Sequence, residues 1–409
     1  MKVVPVGVLA EVTLGKMLQP SQKTGDEKAL PYLRAAHVQP SGRLDLTVEA
    51  NEMWFSDREQ VLLDLRAGDV IVVEGGAVGR SAYLPEGMPG WGFQNAVLRL
   101  RARRGVDGRY IDYCLQSAVY GGEIDAVCTS VSIAHFTAEM VGRFRIPHHS
   151  DAMQRAIADY LDREAAEIDT MTAKLDQLTG ELQDRARIVQ TRAVFGLAPG
   201  EGHRTADAHS PLAGIPAHWR RTKFGYDFTE SRERSGDNPP GPLLSISEYR
   251  GVELNKRTDG QQASLDVSKY RVVRPGQLAA NMMWLNHGGL GVSSLTGYIS
   301  PDYKAFWISQ RFEPRYVHHL FRSSRYIGYF AAIATGVRPN AQRVTKTVLD
   351  ATPVPLPLLD EQIRIADHLD EATSKIDAML ARVAELKALL MERRAALITD
   401  VVTGRKAVA

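Results

Sequence analysis

Apolar positions along the chain follow two patterns. Over 147–196, and again over 355–404, they recur at steps of three and four. In the first run they are Leu161, Ala165, Ile168, Met171, Leu175, Leu178, Leu182 and Val189, with Arg185 keeping the register. In the second they are Leu369, Ala372, Ile376, Met379, Val383, Leu386, Leu390 and Leu397, with Arg393. Such a stripe, held for about four heptads, predicts two long helices with a coiled-coil seam. Each run starts beside a proline stop (Pro147; Pro353, Pro355 and Pro357) and ends at a glycine (Gly196; Gly404), which suits helix start and stop signals. A helix over 151–192 would be about 60 Å long at 1.5 Å per residue. Elsewhere short apolar runs alternate with glycine and proline, the texture of a mixed α/β domain. A buried strand is expected at 70–73, followed by a glycine-rich turn at 74–80, and its counterpart at 277–280 is followed by 281–291. Helices are expected over 110–120 and 316–332. A polar loop precedes each proline stop, at 129–135 and 335–343.

The two helical runs are copies. A shift of 208 residues lays 147–196 on 355–404 without a gap, with about a third of the fifty positions identical. Ile157-Ala158-Asp159 falls on Ile365-Ala366-Asp367, Leu161-Asp162 on Leu369-Asp370, and Ile168-Asp169 on Ile376-Asp377. Met171 falls on Met379, and Leu178 and Leu182 on Leu386 and Leu390. The same shift brings Arg66-Ala67-Gly68 onto Arg274-Pro275-Gly276, and Arg109-Tyr110-Ile111 resembles Arg315-Tyr316-Val317 at a shift of 206. The organisation is therefore a variable half (1–146), a helical segment (147–196), a linker (197–214), a second variable half (215–354) and a second helical segment (355–409). The fold class is α/β (α+β). Two matched stripes can bury their seams against each other, and an antiparallel, pseudo-twofold pairing is the natural solution. Parallel pairing would put both variable halves at one end.

Composition narrows the class. The chain has 409 residues, 44% of them apolar and 24% charged, which is ordinary for a soluble globular protein of two or three domains. No window approaches 18 uninterrupted apolar residues, and the first residues hold no secretory segment. Two cysteines, Cys114 and Cys128, make neither a disulfide framework nor a four-cysteine zinc site. The expectation is a cytoplasmic protein without membrane or structural metal. Net charge is +2, unevenly spread: 215–354 holds 19 Lys and Arg against 11 Asp and Glu, net +8, whereas 147–214 is net −4. A basic half suits a phosphate-facing surface, or is simply solvated. Other motifs dissolve on inspection. Gly75-Gly76-Ala77-Val78-Gly79 lacks the Gly-Lys-Ser/Thr end of a phosphate loop and reads as a tight turn between strands. Asn238-Pro239-Pro240 resembles the start of an adenine-methyltransferase motif, but Gly241 replaces the aromatic. His148-His149 and His318-His319 lack the i,i+4 spacing of a metal pair and read as surface or cap histidines. Glu385 and Lys387 lie in the second helix rather than on a strand. No catalytic constellation emerges.

Two diverged halves on a paired-helix spacer fit a bipartite reader of an asymmetric DNA target, in which helix length sets half-site separation. The stretch Pro355-Leu356-Pro357-Leu358-Leu359-Asp360-Glu361-Gln362-Ile363-Arg364-Ile365-Ala366-Asp367-His368-Leu369 resembles the segment that opens each helical region of type I restriction–modification specificity subunits. The first copy keeps Pro147, Gln154 and Ile157 but lacks the leucine, second proline and glutamate. The resemblance covers essentially the whole chain. It implies two target recognition domains (1–146 and 215–354) and a subunit with no active site or cofactor of its own. It also implies partners: double-stranded DNA, two methyltransferase subunits bringing S-adenosylmethionine, and two ATP- and Mg-dependent motor–endonuclease subunits in the restricting complex. Candidate DNA-contacting residues are Arg80, Gln94, Asn95, Ser130, Ser132 and His135 in the first half. In the second they are Asn281, Asn286, Arg338, Asn340, Arg343 and Lys346. Arg, Asn and Gln can make bidentate contacts with base edges, whereas Lys346 suits a phosphate. Two other classes fit the same residues: a solitary double-headed DNA-binding protein, and a coiled-coil scaffold that binds only proteins. Salt-dependent DNA affinity separates the scaffold from the other two, and co-purification with a methyltransferase separates those from each other. A base-reading Arg338 predicts that Arg338→Ala costs about 1–3 kcal/mol of target affinity and relaxes one position. Equal weakening on every sequence, measured by competition binding, would make it a phosphate contact instead.

Overall fold

The structure, a computed structural model, describes residues 2–128, 134–197, 210–247, 250–255, 266–336 and 343–408. The chain forms two compact units, Met1–Leu175 with Ala384–Ala409, and Asp176–Val383. Each is built on a four-stranded antiparallel sheet. In the first unit the order is Ala10–Leu14, Val97–Ala102, Asp69–Val73, Ser81–Tyr83. In the second it is Phe228–Ser231, Lys304–Ile308, Leu278–Ala280, Leu290–Val292, the same order on the duplicated sequence. The uninterrupted apolar run Val70-Ile71-Val72-Val73 reflects burial on both faces. Val70 and Val72 enter one core with Leu98 and Leu100, while Ile71 and Val73 enter another with Phe93 and Val97. In the second unit Leu278 and Ala280 face an aromatic core around Phe228, Phe306 and Phe321, and Ala279 faces the other side. A two-stranded ribbon, Lys2–Pro5 with Arg145–His148 or Arg220–Lys223 with Pro353–Leu356, ties the ends of each half together.

The two expected long helices are Asp151–Val194 and Leu359–Val402, 44 residues each. Gly196 and Gly404 follow at φ +62° and +75°, left-handed positions that terminate a helix without Cβ strain. Within the first unit, the start of the first helix packs antiparallel to the end of the second. Ile157 and Leu161 share a core with Ile398, Val401 and Val402, and Asp169 pairs with Arg394 at 3.0 Å. Within the second unit, Val194 and Phe195 share a core with Ala366 and Leu369.

The inward face differs from the expected seam. Leu161, Ile168 and Leu182 are buried and Leu175 is half-buried, as are Leu369, Ile376, Val383 and Leu390 in their turn. Met171 and Leu178, however, are 46% and 40% exposed, and Met379 and Leu386 are 53% and 50% exposed. The next residues, Thr172, Thr179, Leu380 and Lys387, turn inward instead, and Ala186 and Arg394 take the places expected of Arg185 and Arg393. Both phases share every seventh position. They differ in whether the intermediate one lies three or four residues on, a rotation of about 100° at 3.6 residues per turn. Arg394 is drawn inward because its guanidinium reaches both Asp169 and the Ser41 carbonyl, the latter at 2.7 Å.

Two further expectations are corrected. The helix over 316–332 is two helices, Pro314–Phe321 and Ser324–Ile333. Ser323 is extended between them, its hydroxyl donating to the Leu320 carbonyl at 2.6 Å. His318 and His319 are not surface residues. His318 Nδ1 accepts from the Val292 amide at 3.2 Å, and burial, reinforced by Arg322 and His319, pushes its pKa down to about 3. His319 Nε2 lies 2.9 Å from Asp370 Oδ1.

The joint between each half and its helix is itself duplicated. Gln154 accepts from the Asp107 amide at 3.1 Å and donates to the His149 carbonyl at 2.8 Å. Gln362 accepts from the Glu313 amide at 2.9 Å and donates to the Arg311 and Pro357 carbonyls, both at 3.0 Å. Both glutamines are fully buried. An apolar replacement strands those backbone groups, at about 1–3 kcal/mol each. Gln362→Leu should therefore lower the urea midpoint of the chain, and Gln154→Leu, which loses fewer bonds, should lower it less. Unchanged midpoints in both variants would show that the joint contributes nothing to stability.

Candidate nucleic-acid interface

In the first half, three chain segments meet at one end of the sheet. The 74–80 turn joins two antiparallel strands, Asp69–Val73 and Ser81–Tyr83, as the glycine spacing predicted. Its first residue is the hub: the Glu74 amide donates to Ala96 O at 2.9 Å, and its carbonyl accepts from the Phe136 amide at 2.8 Å. Gly75 bridges His135, and the Asn95 amide donates to Lys16 O at 2.9 Å. The backbone thereby gathers Arg80, Gln94, Asn95 and His135 at this end, the first three half-buried and His135 exposed. Burial raises the Glu74 carboxyl pKa, with His135 opposing. Ser130 and Ser132 lie outside the described residues.

The second half repeats the hub with other side chains. The Val344 amide donates to the Met282 carbonyl at 3.0 Å, 208 residues on from Phe136 and Glu74. This bond ties the 281–289 loop, with Asn281 and Asn286, to exposed Arg343, whose backbone pairs twice with Thr335 at 3.0 Å. Lys346 is committed internally: its ammonium lies 2.5 Å from both Asp350 oxygens and 5.9 Å from the Phe306 ring centroid. A phosphate would have to compete with that carboxylate. Arg338 and Asn340 lie outside the described residues. Many cations of this half are likewise paired, Arg271 and Lys304 to Glu230, Arg274 to Glu233 and Arg311 to Asp227. Arg220, Arg221, Lys223, Arg232, Arg250, Lys269 and Arg343 remain exposed.

Sequence reading missed what holds each half to its helix. Arg109 reaches Asp159 at 2.7 Å and Asp162 at 2.8 Å, and Tyr113 donates to Asp162 at 2.7 Å. Arg315 reaches Asp367 at 2.7 Å and Asp370 at 2.9 Å, with His319 in the place of Tyr113. The signal was present as the shared pattern Gln-x-x-Ile-Ala-Asp-x-Leu-Asp, which reads as helix register until its arginine partners are seen. Beside the first joint is a cleft of about 700 Å³ lined by Tyr83, Arg109, Asp112, Tyr113, Gln116 and Arg394, among others. Burial pushes the Asp112 carboxyl up to about 7, against Ser81, Gln116 and Arg394, which pull it down. Among the described residues no cluster of His, Cys, Asp or Glu is placed to hold a metal, and no helix is long and apolar enough to cross a membrane.

No protein-family model matches the chain. Over 91 residues it is 29% identical to the type I restriction enzyme StySPI specificity subunit of Salmonella potsdam. The likeness is to the specificity subunits of type I restriction systems. The matched stretch is 22% of this chain and spans about a fifth, 19%, of that relative's length. In fold the likeness runs further. A chain solved in work on the structural basis of complex assembly and conformational transition of the type I R-M system superposes with a TM-score of 0.62 at 17% identity. It covers 98% of this chain and 97% of that one. The HsdS subunit from Thermoanaerobacter tengcongensis aligns over 99% and 97% of the two chains, at 19% identity and a TM-score of 0.45.

The Asp112 carboxyl gives the first joint a pH signature. Its folded pKa lies above the unfolded value, so the folded state holds a proton that the unfolded chain releases. Stability should be intact below about pH 4 and fall as pH rises to about 7, by up to about 4 kcal/mol. Asp112→Asn should flatten urea midpoints measured across that range. An unaltered profile would place the pH dependence elsewhere.

Proposed function

We propose that this chain is the DNA-specificity subunit of a type I restriction–modification complex and carries no catalytic site. Each sheet end reads one block of an asymmetric, bipartite DNA target. The long helices fix the gap between the blocks and dock two methyltransferase subunits. Those subunits supply S-adenosylmethionine, and two ATP- and Mg-dependent motor–endonuclease subunits complete the restricting complex.

The observation that carries this reading is the outward face of the long helices. Met171 and Met379 are the same residue at the same place in the repeat, as are the leucines Leu178 and Leu386, yet all four are exposed. An identical apolar pair kept out of the seam serves the chain's own core poorly, and it serves a helical partner well. Two copies of the face call for two copies of the partner. A solitary DNA-binding protein has no use for such a face, which places that reading second.

Co-expression with a cognate methyltransferase, followed by single-molecule sequencing of host DNA for methylated bases, tests the reading. A split motif with two defined blocks and a fixed gap is the expected result. No complex and no new motif would overturn it. Leu178→Asp, at a site 40% exposed, should melt far closer to wild type than Leu182→Asp but lose the methyltransferase on co-purification. Leu182→Asp, at a site only 8% exposed, should unfold instead. Full methylation by Leu178→Asp would remove the docking role from this face.

A further inference from the structure

The loop that follows the Leu278–Ala280 strand is built to hold an apolar tip in solvent. Leu285 anchors it in the core, while Met283 and Trp284 on the same loop are 46% and 41% exposed. The loop is held from within. Asn281 Oδ1 accepts from the Met283 amide at 3.1 Å, and the Asn281 amide donates to the Gly289 carbonyl at 2.8 Å. The Gly289 amide donates to the Trp284 carbonyl at 2.8 Å. A Cβ on Gly289 would lie 2.8 Å from that of Trp284, so glycine is required where the tryptophan sits. His287 packs on the Trp284 ring, centroids 4.4 Å apart and planes 30° apart, which fixes its orientation. Folding gains little by exposing these two side chains so rigidly. The half that carries them is net +8, and the Val344–Met282 hydrogen bond sets exposed Arg343 beside them. At the repeat distance of 208 residues, the first half has Gly75 and Gly76 where the second has Met283 and Trp284.

We infer that Met283 and Trp284 form a wedge that enters the base stack of the DNA block read by the second half, and that the first half reads its block without one. This rests on the DNA-reading function proposed above. Insertion unstacks a base step, which costs least at pyrimidine–purine steps. The second block should therefore contain a TA or CA/TG step under the wedge, a preference imposed by deformability in addition to base-edge contacts. Arg343 would neutralise the phosphates drawn together by the bend.

The test uses the purified complex with its methyltransferase and duplexes carrying the split motif that the wild type methylates, with 2-aminopurine replacing adenine at the flexible step. Wild type should bind and raise the 2-aminopurine fluorescence in the second block but not in the first. Trp284→Ala should abolish the rise and weaken binding roughly 5- to 150-fold, with relaxed methylation at that step. Trp284→Phe, which keeps a stackable ring, should restore most of both. A Trp284→Ala complex that binds as tightly and raises the fluorescence as wild type does would overturn the wedge and leave the DNA-reading function standing. A wild-type complex that binds no duplex in a salt-dependent way would overturn that function itself.

Discussion

The structure depends on a buried amide beside an arginine clamp, made twice. Gln154 and Gln362 satisfy backbone groups where each globular half meets its helix, and Arg109 and Arg315 each bind two aspartates about one and two turns further along. The ion pairs alone, partly solvated, contribute modestly. The fully buried glutamines are different, because each missing partner leaves a desolvated polar group. Their geometry is directional, so they fix the angle between sheet and helix as well as the contact.

On that attachment the same four-stranded sheet supports two different tips. Strand order, the flanking cores and the bond linking Phe136 to Glu74, or Val344 to Met282, are common to both halves. The turn after the central strand differs, a glycine-rich reversal in one half and a longer loop with exposed Met283 and Trp284 in the other, and so do the flanking strands, one three-stranded sheet in the first half against two two-stranded ribbons in the second.

The helices show the converse economy, with one surface used twice. Their inward line includes Thr172, Thr179, Lys387 and Arg394, while Met171, Leu178, Met379 and Leu386 face water. A seam with polar members is weaker than an all-apolar one but specifies register, and Arg394 reaching Asp169 is one such specification.

The duplication, both long helices, their glycine stops, the Val70–Val73 strand and the glycine turn could all be read from the sequence. Each is a local matter of periodicity or backbone freedom, or a repeat visible by self-comparison. The phase of the seam could not be read. The shared positions Ile168, Leu175 and Leu182 fit both choices, and apolarity favoured Met171 and Leu178. Arg394 wins its inward place because of Asp169 and the Ser41 carbonyl opposite it, which no local pattern records. The internal roles of His318 and His319 have the same origin, since each is settled by a partner far away in the chain, Val292 and Asp370. Sequence showed that Gln154, Asp159 and Asp162 are repeated as Gln362, Asp367 and Asp370. Only the tertiary structure decided that they form a joint, because a hydrogen bond to residue 107 or 313 depends on how the chain returns, not on what neighbours it.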